Sequence, residues 1–564
     1  MKFKFTGALA AGAIAALALS ACTAGGGDSA SPEPSAEIKV ADYNPQPREN
    51  LKDGGTATFR INEITPQLNP FNGDASADTT TLWTWSNPQI MLMSPDGVAA
   101  KNDAYLTDWT TEVKDGKTVV TFTINPEAHF NDGTPLTWKS WETTWVANNG
   151  TNEEYAASST DGYSLIESVT QGVDERQAVV TFSQEYAWSD GLFWNVLHPA
   201  VDSAQVYNEA YMNNPHPEWG AGPFAIKDFD TNGGTVTYER NPEWWGETAK
   251  LETVTFRQLD DTASINAFKN GEIDMAETRT KDTLAQVADM EGVVTYRAQR
   301  AANNLFQLDS EKPQLSDPKV RQAIMMGINR EAITNVVWDG LGYTEEPVGS
   351  FTLFPFQDGY EDALGEAGWK YDPEAAGKLL DEAGWAVGED GIREKDGEKL
   401  SLTLPLFGDD PVTEARGKVI NALMKDIGVE MKIDVRPSSD FSSDYTSKNW
   451  DAVMLAFTSS DPFGFAYFCQ LYCSDSSLNL SATGTPEIDE QIHELEKISN
   501  PDEQIEAGMK LESEILGETW GVFPLYAGPW IVTAKEGLAN LTPETYTGLD
   551  LFGVHPVENV GWEK

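Results

Sequence analysis

Five histidines, at positions 129, 198, 216, 493 and 555, are the residues of this chain best suited to acid–base or metal chemistry. A zinc peptidase needs two imidazoles one helical turn apart with a glutamate beside the first, and His493-Glu494 lacks the second His. The sequence carries no Gly-x-Ser-x-Gly elbow that would expose a nucleophilic serine. Gly220-Ala221-Gly222 superficially resembles a dinucleotide loop but leads into a strand-like run, not a helix. A glycosidase needs only two carboxylates, a demand that 89 acidic residues leave open. The candidate chemistry is therefore recognition, with an extracellular hydrolase as the alternative. Flat aromatic surface suits recognition of apolar side chains, sugar rings and cations alike, and the chain has 18 tryptophans. Trp138, Trp141 and Trp145 recur at helical spacing and are expected in a core.

The chain begins with an export signal over residues 1–22. Lys2 and Lys4 precede an apolar run from Gly7 to Leu19, which is short for a bilayer about 30 Å thick. Leu19-Ser20-Ala21-Cys22 resembles the lipobox of bacterial lipoproteins, which implies lipidation of Cys22 and attachment to the outer face of the cell membrane. Residues 23–51, rich in Gly, Ser, Pro and Ala, are expected to be a flexible tether. In an exported protein a disulfide is the expectation for Cys469 and Cys473. On a helix their Cα atoms lie about 6 Å apart, and two free buried thiols are the alternative. Two thiols alone make a poor metal site, so neither metal nor cofactor is expected. The formal net charge of −50 repels phosphate backbones and excludes nucleic acid as a partner.

From residue 52 onward, short β-rich runs alternate with capped helices, the pattern of mixed α/β lobes. Thr56–Ile61, 119–124, 179–182, 235–239, 254–259, 429–435 and 452–457 read as strands. Asp317-Pro318, Asp372-Pro373 and Asn500-Pro501 each read as an N-cap followed by proline at the first helical position. Asp261 or Thr262 is expected to cap a helix that Gly271 ends.

Four segments, in this order, resemble the extracellular solute-binding proteins that include dipeptide- and oligopeptide-binding lipoproteins. They are HFNDGTPLT (129–137), GAGPFAIKDF with YERNPEWWG (220–246), LETVTFRQLDDTASINAFKNGEIDMA (251–276), and DPKVRQAIMMGINREAI (317–333) followed by YDPEAAGKLLDEAGW. The resemblance implies a two-lobed periplasmic-binding-protein-like clamshell. Residues 52–305 plus 522–564 would form a first lobe, with a subdomain inserted at about 75–215, and 306–521 a second lobe. The chain would cross between them near Asn303–Leu308 and Trp520–Tyr526. It further implies a monomeric binding component of an ABC importer that captures peptides and passes them to permease subunits. An oligosaccharide or a metal or haem chelate is the runner-up ligand.

By the same resemblance the ligand-binding residues are Trp83, Trp85, Asn87, Trp188, Phe407, Asp409, Ser459, Ser460, Asp461 and Phe463. Some peptide binders place an aspartate for the ligand's amino terminus in the loop after the strand matching 452–457. Here that position falls on Ser460, and Asp461 belongs to the Asp-Pro step that follows. Dipeptide binders carry a basic residue for the ligand carboxylate in the loop after the strand matching 400–407. This chain has Gly408-Asp409-Asp410-Pro411 instead, which disfavours a strict dipeptide preference.

Overall fold

The computed structural model describes residues 41–93, 99–300, 302–408, 411–437, 440–458, 465, 468–476, 479–541 and 556–564. Cys22, Asp409, Ser459, Ser460, Asp461 and Phe463 lie outside the described residues.

The expected strands form, and they sort into separate sheets that make an α/β fold of two lobes. Thr56–Ile61 pairs in parallel with Thr253–Gln258, which continues antiparallel into Thr235–Arg240 and Phe224–Asp230. Alternation is why they pair this way: every second residue of TATFRI is buried, among them Phe59 and Ile61, against Phe256 and Trp85. A second antiparallel sheet, Leu106–Lys114, Lys117–Ile124, Gln177–Phe182 and Ile166–Gln171, carries helix Trp138–Asn148 on one face. Trp141 is fully buried there, with Trp138 and Trp145 packed at its edges.

Two of the family-like motifs grip each other between these sheets. Asn131 and Asp132 in the turn of HFNDGTPLT donate their amides to the carbonyls of Gly220 and Glu218. The Asn241 side chain then bridges Asn131 Oδ1 and the Gly222 carbonyl, at 2.8 and 2.7 Å. Ala221 and Gly222 both bond the Ser86 carbonyl, the end of helix Ala77–Ser86, at 2.9 Å. A Cβ at Gly222 would stand 2.8 Å from the Ser86 backbone, so glycine is what allows this approach.

The second sheet system is built on Ala302–Leu308, flanked antiparallel by Ala452–Thr458 and Val522–Tyr526. Ser401–Phe407 and Glu430–Arg436, a parallel pair, extend it. Asp317, Asp372 and Asn500 cap their helices as expected, each accepting from a backbone N–H of the first turn. The cap of helix Asp261–Lys269 is Asp260, one residue earlier than expected, whose carboxylate accepts from Ala263 at 2.7 Å.

Two boundaries are corrected. Residues 302–305 and 522–526 belong to the second sheet, since they pair with each other and with 452–458. The tether does not extend to residue 51: Asn44 and Gln46 bond Leu538 and Asn540, Arg48 ion-pairs with Glu247, and Leu51 is buried. Segment 41–52 thus packs beside residues 556–564, with Lys52 bonded to Trp562 and Lys564 to Asn50.

Burial, helped by the like charge of Glu247, raises the half-buried Glu558 carboxyl in this seam to about 7 against the pull of Arg48. The folded form therefore holds the proton more tightly than the unfolded chain, and the stability this confers at low pH is lost as pH rises through 7. Glu558→Gln is expected to raise the melting temperature at pH 8 and leave it unchanged at pH 4.5. Equal shifts at both pH values in a thermal scan would contradict this.

Candidate functional site

The chain passes between the sheets twice, each time through two residues. Val293–Gln299 pairs with Pro529–Lys535 on the first-lobe side, and Ala302–Leu308 pairs with Val522–Tyr526 on the second. The first link therefore falls between Gln299 and Ala302, and the second is residues 527–528. Gly528 has φ +96°, a left-handed conformation that favours glycine.

Strand direction locates the cleft. Ser401–Phe407 and Glu430–Arg436 are parallel, and Asp451, just before Ala452–Thr458, exchanges hydrogen bonds with Thr403 beside them. Val522–Tyr526 shares the direction of Ala452–Thr458 through their antiparallel neighbour Ala302–Leu308. The carboxyl ends of Ala452–Thr458 and Val522–Tyr526 thus lie where Ala302–Leu308 begins, the edge from which the links leave. Ligands of open α/β sheets bind outside that edge. Phe407 stands there half-buried, its ring edge-on to Phe441 at 5.2 Å.

The second link carries a built-in clamp. The carboxylate of Glu345 accepts from the amides of Ala527 and Gly528, at 2.7 and 2.8 Å, and from the Tyr343 hydroxyl. Withdrawal from water pushes this carboxyl above its ordinary range, against the lowering effect of its three donors and of Arg330. A cavity of about 110 Å³ adjoins it, lined by Gln299, Glu345, Glu346, Pro355, Phe356 and Ala527. The Arg300 amide donates to the Gly528 carbonyl at 3.2 Å and so ties the two links together, and Asn304 in the next strand donates to the Ala527 carbonyl at 3.0 Å.

Tyr526, the last residue of its strand, is buried between two other groups. Its hydroxyl accepts from Arg416 Nη1 at 2.7 Å, and its ring meets that of Trp338 at 5.8 Å and 82°. Arg416 lies on helix Pro411–Asp426, which starts at the same carboxyl edge.

Side chains also reach across the lobes. Trp188 Nε1 donates to Gln504 Oε1 on helix Pro501–Thr519, and Gln470 donates to Asp161. Burial, with Glu496 acting in the same direction, raises the Asp161 carboxyl. Trp188 is therefore at an interlobe contact.

Trp83, Trp85 and Asn87 do not line the cleft, contrary to expectation. Trp83 packs on Phe71 and Tyr211, and Trp85 on Phe59, Phe224 and Phe256, all within the first lobe. Asn87 caps its helix by bonding the Trp83 carbonyl. The void that Trp83 and Asn87 line is about 20 Å³, room for about one water molecule. Trp194 is likewise buried, donating to the Asp190 carbonyl. The residues that sequence reasoning passed over, Glu345, Trp338, Arg416 and Tyr526, sit in no recognisable motif.

Cys469 and Cys473 are joined, with Cα atoms 4.7 Å apart on helix Phe468–Tyr472 and its end. Tyr472 beside them donates to Glu512, a fully buried carboxylate that also accepts from Ser350, Phe351 and Thr352. Among the described residues, Cys469, Cys473 and Asp475 form the one group with metal-like spacing, and its two sulfurs are bonded to each other.

Residues 102–479 match the model of the bacterial extracellular solute-binding proteins, family 5 middle region. The oligopeptide-binding protein OppA of Mycobacterium tuberculosis is 31% identical over 549 residues, covering 95% of this chain and 91% of its own. Among solved structures, a periplasmic EDTA-binding protein, EppA, superposes with a TM-score of 0.84 at 24% identity, over 94% of this chain and all of its own. AppA from Bacillus subtilis in complex with a nonapeptide gives 0.72 at 19%, over 91% of this chain and all of its own.

Glu345→Ala would strand two buried amides, at about 1–3 kcal/mol each where water does not replace the carboxylate. The ligand-free variant is expected to melt several degrees lower and to show a larger radius of gyration by small-angle scattering. An unchanged melting temperature would show that the clamp carries no weight.

Proposed function

The chain belongs to the bacterial extracellular solute-binding proteins of family 5, and on that premise we propose that it captures short peptides outside the cell and delivers them to an ABC importer. The observation that carries this reading is the pair of two-residue links beneath a carboxyl-edge cleft, in a chain that aligns over nearly its whole length with an oligopeptide-binding relative. Two rigid bodies so joined change their relation by altering a few backbone dihedrals, and a ligand touching both favours the closed form by its differential affinity.

In this reading the first lobe comprises residues 41–299 and 529–564, and the second 302–526. Lipidated Cys22 holds the protein at the outer face of the membrane, with residues 23–40 as the spacer. The ligand lies among Phe407, Asp409, Ser459, Ser460, Asp461 and Phe463 on the second lobe, facing Trp188. Asp461 pairs with the ligand's amino terminus. Release is of unaltered ligand, since the role is transport and not hydrolysis.

Extraction and mass spectrometry of what co-purifies with the full chain is expected to give a mixed pool of short peptides. A single sugar or metal chelate would overturn the peptide reading. Asp461→Ala is expected to weaken binding of that pool at least tenfold, measured by calorimetry, while the ligand-free melting temperature stays within a degree of wild type. Equal affinity would remove Asp461 from the site.

A further inference from the structure

Two carboxylates withdrawn from water in the second lobe are surrounded by donors. Glu345 takes two amides and a hydroxyl, and Glu512 takes three hydroxyls and an amide. Asp161, where the inserted subdomain meets the second lobe, is supplied differently. It is half-buried, and it accepts from the Ser159 hydroxyl at 2.7 Å and from the side-chain amide of Gln470 across the seam. Both donors bond the same oxygen, Oδ2, which leaves Oδ1 able to carry a proton with neither bond lost. Among the described residues no basic side chain pairs with Asp161, and the charged group of the second lobe that acts on it is another acid, Glu496, at the end of helix Pro486–Leu495. Glu496 itself pairs with the exposed His493 at 3.0 Å, and Lys497 is taken by Glu494. Asp190, close to Trp188, is also withdrawn from water, but its hydroxyl donors Ser189 and Thr111 belong to its own lobe.

Two neutral donors do not replace the water shell of an ionised carboxylate, and a like charge nearby adds to the cost. The protonated acid avoids both penalties, since it keeps its bonds on Oδ2 and no longer repels Glu496. Opening reverses the situation: Gln470 and Glu496 leave with the second lobe, and Asp161 returns to water as an ordinary carboxyl. The arrangement in which the lobes meet therefore holds a proton at Asp161 more tightly than the open one. Its advantage is present at low pH and is lost as pH rises through the raised value of the closed form.

We infer that Asp161, facing Gln470 and Glu496 across the seam, is a proton-operated latch: closure of the lobes takes up a proton there, so solute is held more firmly in acidic surroundings and released more readily in neutral ones. The inference concerns the regulation of the proposed cleft and rests on the two-lobe closure argued above, whatever the solute. The companion bond, Trp188 to Gln504, joins two groups that do not titrate and has no such dependence. A contact made only in the closed form biases closure without touching the solute, and by reciprocity a solute that closes the lobes raises the affinity for the proton.

The test uses the full chain, purified in detergent and freed of endogenous ligand. The probe is a tryptic digest of casein, at a concentration that leaves most wild-type sites empty at pH 7.5. Captured peptide is quantified by mass spectrometry at pH 7.5 and at pH 4.5. Titration of the peptides is common to all forms of the protein, so the quantity read is the ratio of variant to wild type. Asp161→Asn keeps an acceptor for both donors and removes the charge. It is expected to capture at least threefold more than wild type at pH 7.5 and the same amount at pH 4.5. Glu496→Gln is expected to act in the same direction by a smaller factor. An Asp161→Asn ratio that is equal at the two pH values, or below one at pH 7.5, would overturn the latch and leave the peptide reading standing. Capture of nothing by any form would sink the peptide reading, and small-angle scattering of the ligand-free chain then decides the latch. The radius of gyration of Asp161→Asn is expected to lie below the wild-type value at pH 7.5 and to match it at pH 4.5, and coincident values at both would overturn the inference.

Discussion

Everything that this molecule can do as a machine depends on how little backbone joins its two halves. Gln299 is still paired in one sheet and Ala302 already paired in another, and the return passage goes from Tyr526 to Pro529 in the same way. Strands held by ladders on both sides cannot bend, so rotation is confined to the residues between them. A hinge of that size would be loose if its amides faced water. Glu345 prevents this by taking the two N–H groups of residues 527–528 onto one carboxylate, which fixes the link without filling it with side chains. Glu345 itself lies on the second-lobe side of the passage, while the segment before it meets the first lobe, with Leu341 and Tyr343 packed on Ile531 and Arg297 bonded to the Leu341 carbonyl.

The same device recurs where the second lobe needs a loop fixed. Glu512 gathers the hydroxyls of Ser350, Thr352 and Tyr472 and the amide of Phe351. Asp274 takes the amide of Thr58 and the ammonium of Lys535 in the first lobe. A buried carboxylate is unfavourable alone and stabilising once all its acceptor sites are used. Glu345 and Glu512 are spent on backbone amides and hydroxyls, which positions loops without consuming the chain's scarce cations, whereas Asp274 also holds Lys535.

Much of the fold was legible because its signals are local. Alternation in TATFRI and KTVVTFTI fixes which face is buried whatever the strand pairs with. Asp317, Asp372 and Asn500 cap their helices through contacts spanning two or three residues. The site was less legible, because whether an aromatic ring faces a core or a cleft depends on partners far away in sequence. Trp83 meets Tyr211, and Trp85 meets Phe224 and Phe256, and nothing within ten residues of either tryptophan announces those neighbours. Arg416 is hidden for the opposite reason: on its helix it looks like any solvated cation, and only the approach of Tyr526 from 110 residues away distinguishes it. The crossing points slipped by a few residues since 299–302 reads as one extended run, and the change of sheet is a fact of pairing alone.

The contacts that hold the lobes together without ligand bear on why a ligand is needed. Among the described residues the inserted subdomain meets the second lobe through two side-chain hydrogen bonds, Trp188 to Gln504 and Gln470 to Asp161. Each exchanges with water on opening, so each contributes on the order of 1 kcal/mol net. Two such bonds favour closure by a factor of tens at most, before the ordering of the side chains is charged against them. A shift from mostly open to mostly closed requires about 5 kcal/mol of preferential binding. These two bonds alone fall short of that requirement, and a solute that touches both lobes adds its differential affinity to them.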